Sequence, residues 1–262
     1  MTRPMSDHLS RILEGVREDL AHRKARRSMD ELRRMEEIRG PAKELLSTIP
    51  RVPCVIAEIK RASPSRGWIR RDLDAVETAR AYIQGGAWAV SVLTEERCFG
   101  GSLTDLAVVR HEFPGAVLLR KDFLLDEYML AESRAFGADL VLLMVSVLGE
   151  RTGEMVSLAA KHRLEPLVEV RDGKEMAIAA GSGARLIGIN NRDLDTLAVD
   201  MSTAERLLPL VPEGAVAVVE SGISDPAQVE RYHRMGARLF LVGESLATSA
   251  DPADTIRRYV GK

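Results

Sequence analysis

Glu58 and Lys60, Lys121, Glu169, Asn190 with Arg192, Glu220-Ser221-Gly222 and Gly243-Glu244 are scattered over most of the chain, yet all follow the same rule of placement. Each closes an apolar run: CVIAEIK (54–60), VLLRKD (117–122), PLVEV (166–170), LIGINNR (186–192), AVAVVES (215–221) and LFLVGES (239–245). Lysine and glutamate move protons, and glycine beside serine lets backbone N–H groups come close to an anion. Such a set suits acid–base chemistry on a phosphorylated small molecule. Glu58 and Lys60 are two apart, so on a strand they point to one side and Ile59 to the other. Carboxylates within apolar strands are costly to bury unless paired, so structural ion pairs are the competing account of each Glu and Lys. Their shared position at the ends of the runs favours chemistry.

Something must bring these residues together. Apolar runs begin near residues 54, 87, 116, 139, 166, 186, 215 and 238, about 26 residues apart, with helical periodicity between them, which is the rhythm of successive βα units. An open doubly wound sheet shares that rhythm. The number of units suits a closed barrel, and KRASPSRG after the first run lacks the G-x-G-x-x-G spacing of a dinucleotide-binding sheet. The expected fold is α/β, a single (β/α)8 TIM barrel (49–262) preceded by a helical extension (1–48) with apolar positions at Leu9, Ile12, Leu13, Val16 and Leu20. In such a barrel all strand C-terminal ends share one rim, and strands seven and eight build the phosphate site. Gly222, Gly243 and Glu244 are therefore expected there, with Lys60, Ser63 and Ser65 adding charge and hydroxyls. Phe99, Leu142 and Leu194 could wall a flat ring, and Trp68 in RASPSRGWIRR marks a candidate lid. Helix signals include Asp172-x-x-Glu175, Ser202-x-x-Glu205, Asp225-Pro226 and Asp251-Pro252 at starts, and Gly85, Gly181 and Gly236 at ends.

Composition removes other classes. The 262 residues carry 37 Lys+Arg against 39 Asp+Glu, a formal net charge of −2, so no global pull toward nucleic acid or membrane is expected. The run HRKARR (22–27) lies among acidic neighbours without interleaved aromatics and reads as a solvated helix face. The N-terminus lacks the apolar core of a secretory signal, so a cytoplasmic protein with Cys54 and Cys98 reduced is expected. No histidine closes an apolar run and no redox motif appears, so neither a metal nor another cofactor is expected.

Taken in order, these segments resemble the indole-3-glycerol-phosphate synthase family of tryptophan biosynthesis. The likeness runs through IAEIKRASPSRG (56–67), SVLTEERCFGGS (91–102), LRKDFLLDEYM (119–129), PLVEV, GINNRDL (188–194), VESGIS (219–224) and LVGESL (241–246). It implies a decarboxylating lyase that closes the indole ring of 1-(2-carboxyphenylamino)-1-deoxyribulose 5-phosphate with loss of CO₂ and water. It further implies that Lys121 is the general acid at the ribulose carbonyl, that Glu169 transfers protons in the later dehydration, and that Glu58 is its partner carboxylate. Lys60 would meet the phosphate and has a second candidacy as an acid. Asn190, counted with the catalytic groups, and Arg192 would position the substrate and its carboxylate. Ser63, Phe99, Leu142, Leu194, Glu220 and Ser221 would be substrate contacts, and Gly222, Gly243 and Glu244 would lie at the phosphate, Glu244 through its N–H alone. Arg66 stands where the family commonly has Lys and keeps the charge. Relatives are commonly monomers, and no contact is carried over from the first 45 or so residues. Two rival readings are an isomerase of phosphoribosyl compounds, which here would lack a cysteine at a strand end, and a barrel that binds a phosphorylated metabolite without turning it over.

Overall fold

The computed structural model describes residues 7–40, 43–193 and 195–261. Eight parallel strands close into a barrel: β1 (Cys54–Ile59), β2 (Ala89–Leu93), β3 (Leu118–Lys121), β4 (Leu140–Met144), β5 (Glu165–Val170), β6 (Leu186–Asn190), β7 (Val216–Glu220) and β8 (Ala237–Val242). Closure is made by β1, which pairs with β2 on one side (Glu58 opposite Ser91) and with β8 on the other (Ala57 opposite Val242). Valine, isoleucine and leucine dominate the strands because both faces are covered, one by the barrel interior and one by helices. Only Lys121, Glu165 and Arg238 among the strand residues are less than fully buried.

Register decides which side chains share a level. Leu93 pairs with Lys121, Met144 with Glu169, Glu169 with Gly188, and Asn190 with Glu220, so the polar strand ends stand side by side at the C-terminal rim. The connecting helices are α3 (Ala75–Gln84), α4 (Leu103–Glu112), α5 (Glu127–Ala135), α6 (Thr152–Lys161), α7 (Gly173–Gly181), α8 (Ser202–Leu207), α9 (Pro226–Arg234) and α10 (Pro252–Tyr259), following α1 (Asp7–Arg26) and α2 (Met29–Ile38). One-turn helices at Val145–Leu148 and Glu244–Ala247 interrupt two of the connections.

Cap chemistry follows the sequence with three differences. Asp172, Asp225 and Asp251 each accept backbone N–H bonds at the start of α7, α9 and α10, and Gln228 completes a capping box with Asp225. Glu175, however, reaches past Asp172 to the N–H of Arg171. Ser202 is the first helical residue rather than the cap; Asp200 accepts from both its N–H and its hydroxyl, because a carboxylate two residues earlier reaches the free donors better. Gly85 and Gly181 keep ordinary conformations, and the left-handed turns fall on Gly86 (φ 87°) and Gly183 (φ 80°); only Gly236 (φ 107°) turns where expected.

The extension is packed against the barrel. Leu9, Ile12, Leu13, Val16 and Leu20 of α1 are buried, each contributing about 1.5–3 kcal/mol as an upper figure. Arg97 in the β2–α4 connection binds Glu18 (2.8 Å) and Asp19 (2.6 Å), and the Tyr128 hydroxyl donates to the carbonyls of Arg23 and Arg27. Among the described residues no helix is long and apolar enough to cross a membrane.

His162 ties α2 to the barrel wall, its Nδ1 2.7 Å from Glu36 and its Nε2 3.3 Å from Glu127. Burial disfavours the imidazolium, but the bonds and attraction from the two carboxylates outweigh it and hold the pKa above its usual 6.5. A raised folded-state pKa means the stabilisation is complete below about 6.5 and fades as pH rises through the folded value. His162→Gln should therefore cost about 1–2 kcal/mol at pH 6 and much less at pH 9. Denaturant unfolding at the two pH values measures it, and a cost independent of pH would mean that the imidazole is neutral.

Candidate active site

A cavity of about 700 Å³ opens at the C-terminal rim. Every expected site residue among those described lines it, from Glu58 and Lys60 round to Gly243 and Glu244; Leu194 lies outside the described residues. Of the RASPSRGWIRR segment, Ser63, Pro64, Ser65 and Arg66 line the cavity. Trp68 does not. It lies half exposed on the short hairpin Ala62–Ser63/Gly67–Trp68, over Gly100 and 4.7 Å from the Arg71 guanidinium.

Three buried carboxylates and two ammonium groups form the polar floor. Glu58 pairs with Lys60 at 2.5 Å, while Lys121 donates to Glu220 at 2.6 Å and to Glu169 at 3.1 Å. Glycines make room for two of them. A Cβ on Gly188 would stand 2.2 Å from Glu220 Oε1, and one on Gly243 would stand 2.4 Å from Glu58 Oε1. Burial works against the charge on Lys121, but Glu220, Glu169 and Glu58 prevail and raise its pKa well above the usual lysine range. Burial raises Glu220 most; attraction to Lys121 opposes it, repulsion from Glu169 and Glu58 adds to it, and the carboxyl is pushed up to about 7.

Next to the floor, the segment after β7 carries two successive left-handed residues, Ser221 (φ 66°) and Gly222 (φ 80°). Serine rarely adopts this conformation, and Asn191 fixes it: its Nδ2 donates to the Ser221 carbonyl at 3.1 Å while its Oδ1 accepts the Ala204 N–H at 3.0 Å. Asn191 was legible only as a neighbour of Asn190. The segment after β8 lies alongside, with the Ser245 hydroxyl donating to the Ile223 carbonyl at 3.2 Å. Glu244 pairs with Arg66 at 2.5 Å, and Arg192, 3.8 Å away, donates to the Leu197 carbonyl. Asn190 Oδ1 accepts the Arg192 N–H at 2.9 Å.

The opposite wall is apolar. Phe99 and Phe123 lie 6.3 Å apart at 46°, with Leu93, Leu142 and Met144 beside them. Glu95 organises this wall by accepting the N–H groups of Arg97, Cys98 and Phe99 at 2.7–3.1 Å. Leu9 and Ile12 of α1 also reach the cavity. Their apolar spacing announced a buried face, and nothing in the sequence said that it faces the mouth.

Fold and site together define a (β/α)8-barrel enzyme with a buried lysine–carboxylate floor between an apolar wall and two glycine-bearing loops after β7 and β8. The family model described as indole-3-glycerol phosphate synthase matches residues 9–259. The chain belongs to the indole-3-glycerol phosphate synthase family. An indole-3-glycerol phosphate synthase of Kineococcus radiotolerans is 46% identical, with 96% of this chain and 94% of that protein covered. One from Dehalococcoides mccartyi is 43% identical, covering 96% and 99%. Among solved structures, 3-hexulose-6-phosphate synthase from Salmonella typhimurium superposes with a TM-score of 0.64 at 16% identity, covering 79% of this chain and 97% of that one, a likeness of fold alone.

Proposed function

We propose that the chain closes the indole ring of 1-(2-carboxyphenylamino)-1-deoxyribulose 5-phosphate, with loss of CO₂ and water, on this floor. The Lys121 ammonium gives a proton to the ribulose carbonyl oxygen while the ring carbon bearing the carboxylate attacks. Attack leaves that carbon sp³ beside a cationic iminium system, which accepts the electron pair released with CO₂. The new hydroxyl then takes a second proton and leaves as water, and Glu169 removes a proton from the methylene carbon next to nitrogen. Two protons enter and one leaves, so each turnover consumes one.

Ser221, Gly222, Gly243 and the Glu244 N–H hold the phosphate with Lys60, which Glu58 orients. Asn190 and Arg192 hold the remaining polar groups, while Ser63, Phe99 and Leu142 contact the substrate, with Leu9 and Ile12 closing over the ring. Holding ring against carbonyl can supply about 7–11 kcal/mol of barrier lowering. The observation that carries this reading is Lys121, held between two buried carboxylates at the meeting point of the apolar wall and the glycine-bearing loops. On this reading residues 49–262 are the catalytic barrel and 1–48 an extension that helps to close it. The protein acts as a cytoplasmic monomer on a small phosphorylated substrate, without a cofactor and without nucleic acid or membrane.

Incubation with the substrate should give indole fluorescence; binding without fluorescence would make the chain a metabolite-binding barrel, and a ketose–aldose conversion would make it an isomerase. Gly243→Ala should lower kcat/KM by about tenfold or more, because the added methyl displaces the Glu58 carboxylate from Lys60. Gly173→Ala, with nothing within 4 Å of its Cβ, is the control. Equal kinetics for the two variants would remove the Glu58–Lys60 pair from the mechanism.

A further inference from the structure

Around Lys121 the buried charges do not balance. Glu58, Glu169 and Glu220 are 2%, 3% and 1% exposed, and among the described residues only Lys60 and Lys121 face them at hydrogen-bond distance. One negative charge is left over, in a cavity that must also receive the carboxylate and phosphate of its substrate. A buried carboxylate in that position takes up a proton.

Geometry selects which carboxylate. Glu58 has Lys60 to itself at 2.5 Å, whereas Glu169 and Glu220 divide Lys121 between them. Glu220 Oε2 takes the lysine, and Glu220 Oε1, wholly buried, has no hydrogen-bond partner among the described residues. A carboxylate oxygen in that state has lost its water and gained nothing, while a carboxylic acid there has a hydroxyl to offer to a ligand. The space is kept open by the bare Cα of Gly188. The charged and titratable groups lining the cavity with Glu220 are His8 of α1, Glu58 and Lys60 of the β1 end, Arg66 in the loop that follows, Lys121 and Asp122 at β3, Glu95 after β2, Glu169 on β5, Arg192 after β6 and Glu244 after β8. Asp122 is held by Arg120 and Thr94, Glu95 by three N–H groups, and Glu244 by Arg66, so none of these three shifts charge onto Glu220.

We propose that Glu220 carries a proton in the working enzyme and through it sets the acidity of Lys121, an inference that rests on the role given to Lys121 above. A lysine between two ionised carboxylates holds its proton too tightly to act as an acid near neutrality. With Glu220 neutral, one of those charges is gone. When the Lys121 ammonium has protonated the carbonyl oxygen it is left as an amine, and the Glu220 acid, 2.6 Å away, returns a proton to it and becomes a carboxylate. The restored ammonium supplies the proton with which hydroxide leaves as water, Glu169 passes the proton it took from the methylene to the Lys121 amine 3.1 Å away, and Glu220 recovers its own from solution, which is the one proton consumed per turnover. The raised carboxyl pKa agrees with this arrangement. Glu220 is thus a positioning residue that acts through Lys121.

The test is kcat/KM against pH for the wild type and Glu220→Gln, whose amide cannot ionise. The wild type should lose activity on an alkaline limb that begins in the neutral range, and Glu220→Gln should move that limb upward, raising the ratio of activity at pH 9 to that at pH 6.5 by about tenfold. A variant that lowers the whole profile and leaves the limb in place has lost only a structural group, and that outcome overturns the proposal. Carbon-13 spectra of the wild type labelled in glutamate carboxyls give a second reading: one resonance should titrate in the neutral range and move higher in Lys121→Met. If every glutamate titrates below pH 5, the proposal fails, whether or not Glu220→Gln folds. Lys121→Ala separates the two levels: full activity in that variant removes the role of Lys121 itself, whereas an inactive Lys121→Ala with an unmoved Glu220→Gln limb removes only that of Glu220.

Discussion

Lys121→Ala is expected to lower kcat/KM by about 10²–10⁴-fold while inorganic phosphate binds within about threefold of its wild-type affinity. The two effects separate because Lys121 closes β3 on the floor, whereas the proposed phosphate groups are backbone N–H donors after β7 and β8. Removing the ammonium takes away the proton donor and leaves Glu169 and Glu220 facing each other without their shared cation. Two buried carboxylates facing each other without a cation cannot both be ionised, and one of them holds a proton at neutral pH. The fold then survives, which thermal unfolding can check before kinetics are read. Lys121→Met keeps the stem and removes only the charge, so equal losses in the two variants assign the effect to the ammonium. A loss under about tenfold in both would move the acid to Lys60, the other ammonium on the floor.

The fold was legible because the physics that shapes it is local. Each strand buried on both sides reads as an apolar run, and a residue that closes such a run must stand at the rim once the strands are parallel, which is why Glu58, Lys121, Glu169, Asn190 and Glu220 could be grouped in advance. Their pairing was not legible. Nothing in LRKDF or VESGI says that Lys121 divides itself between Glu169 and Glu220, since the division follows from register and from the room that Gly188 leaves for the Glu220 carboxylate. The contribution of α1 escaped for a similar reason: the spacing of Leu9 and Ile12 gives the helix a buried face, and only tertiary placement decides what that face covers. Trp68 stood out in the sequence as an unusual aromatic in a polar loop, but its contact with the Arg71 guanidinium was not legible there.

The second large effect is on stability and lies one residue before the lysine. Arg120 is completely buried, and its side chain leaves the barrel toward α5. There it donates to Thr94 (3.0 Å), Asp122 (3.0 Å), Glu132 (3.0 Å), Ser133 (3.1 Å) and the Met129 carbonyl (3.2 Å). Arg120→Met fills a similar volume but takes the cation from Asp122, which keeps the Thr94 hydroxyl and the Phe123 N–H, and leaves Glu132 with Arg23 of α1. Breaking a buried pair in this way costs about 3–5 kcal/mol, or roughly 10 °C in Tm for a chain of this length. Lysine should not rescue it, because one ammonium cannot reproduce a planar fork that serves five acceptors. Removing Glu132 as well is informative: if Arg120→Met/Glu132→Leu recovers a kcal/mol or more over Arg120→Met alone, the cost came from the stranded carboxylate rather than from packing. Because Glu132 also holds Arg23, and Asp122 lines the cavity, the single variant should raise KM at temperatures where it remains folded. An unchanged KM beside a lowered Tm would show that α1 keeps its place at the cavity through Leu9 and Ile12 alone, and that the charged network fixes only the wall behind β3.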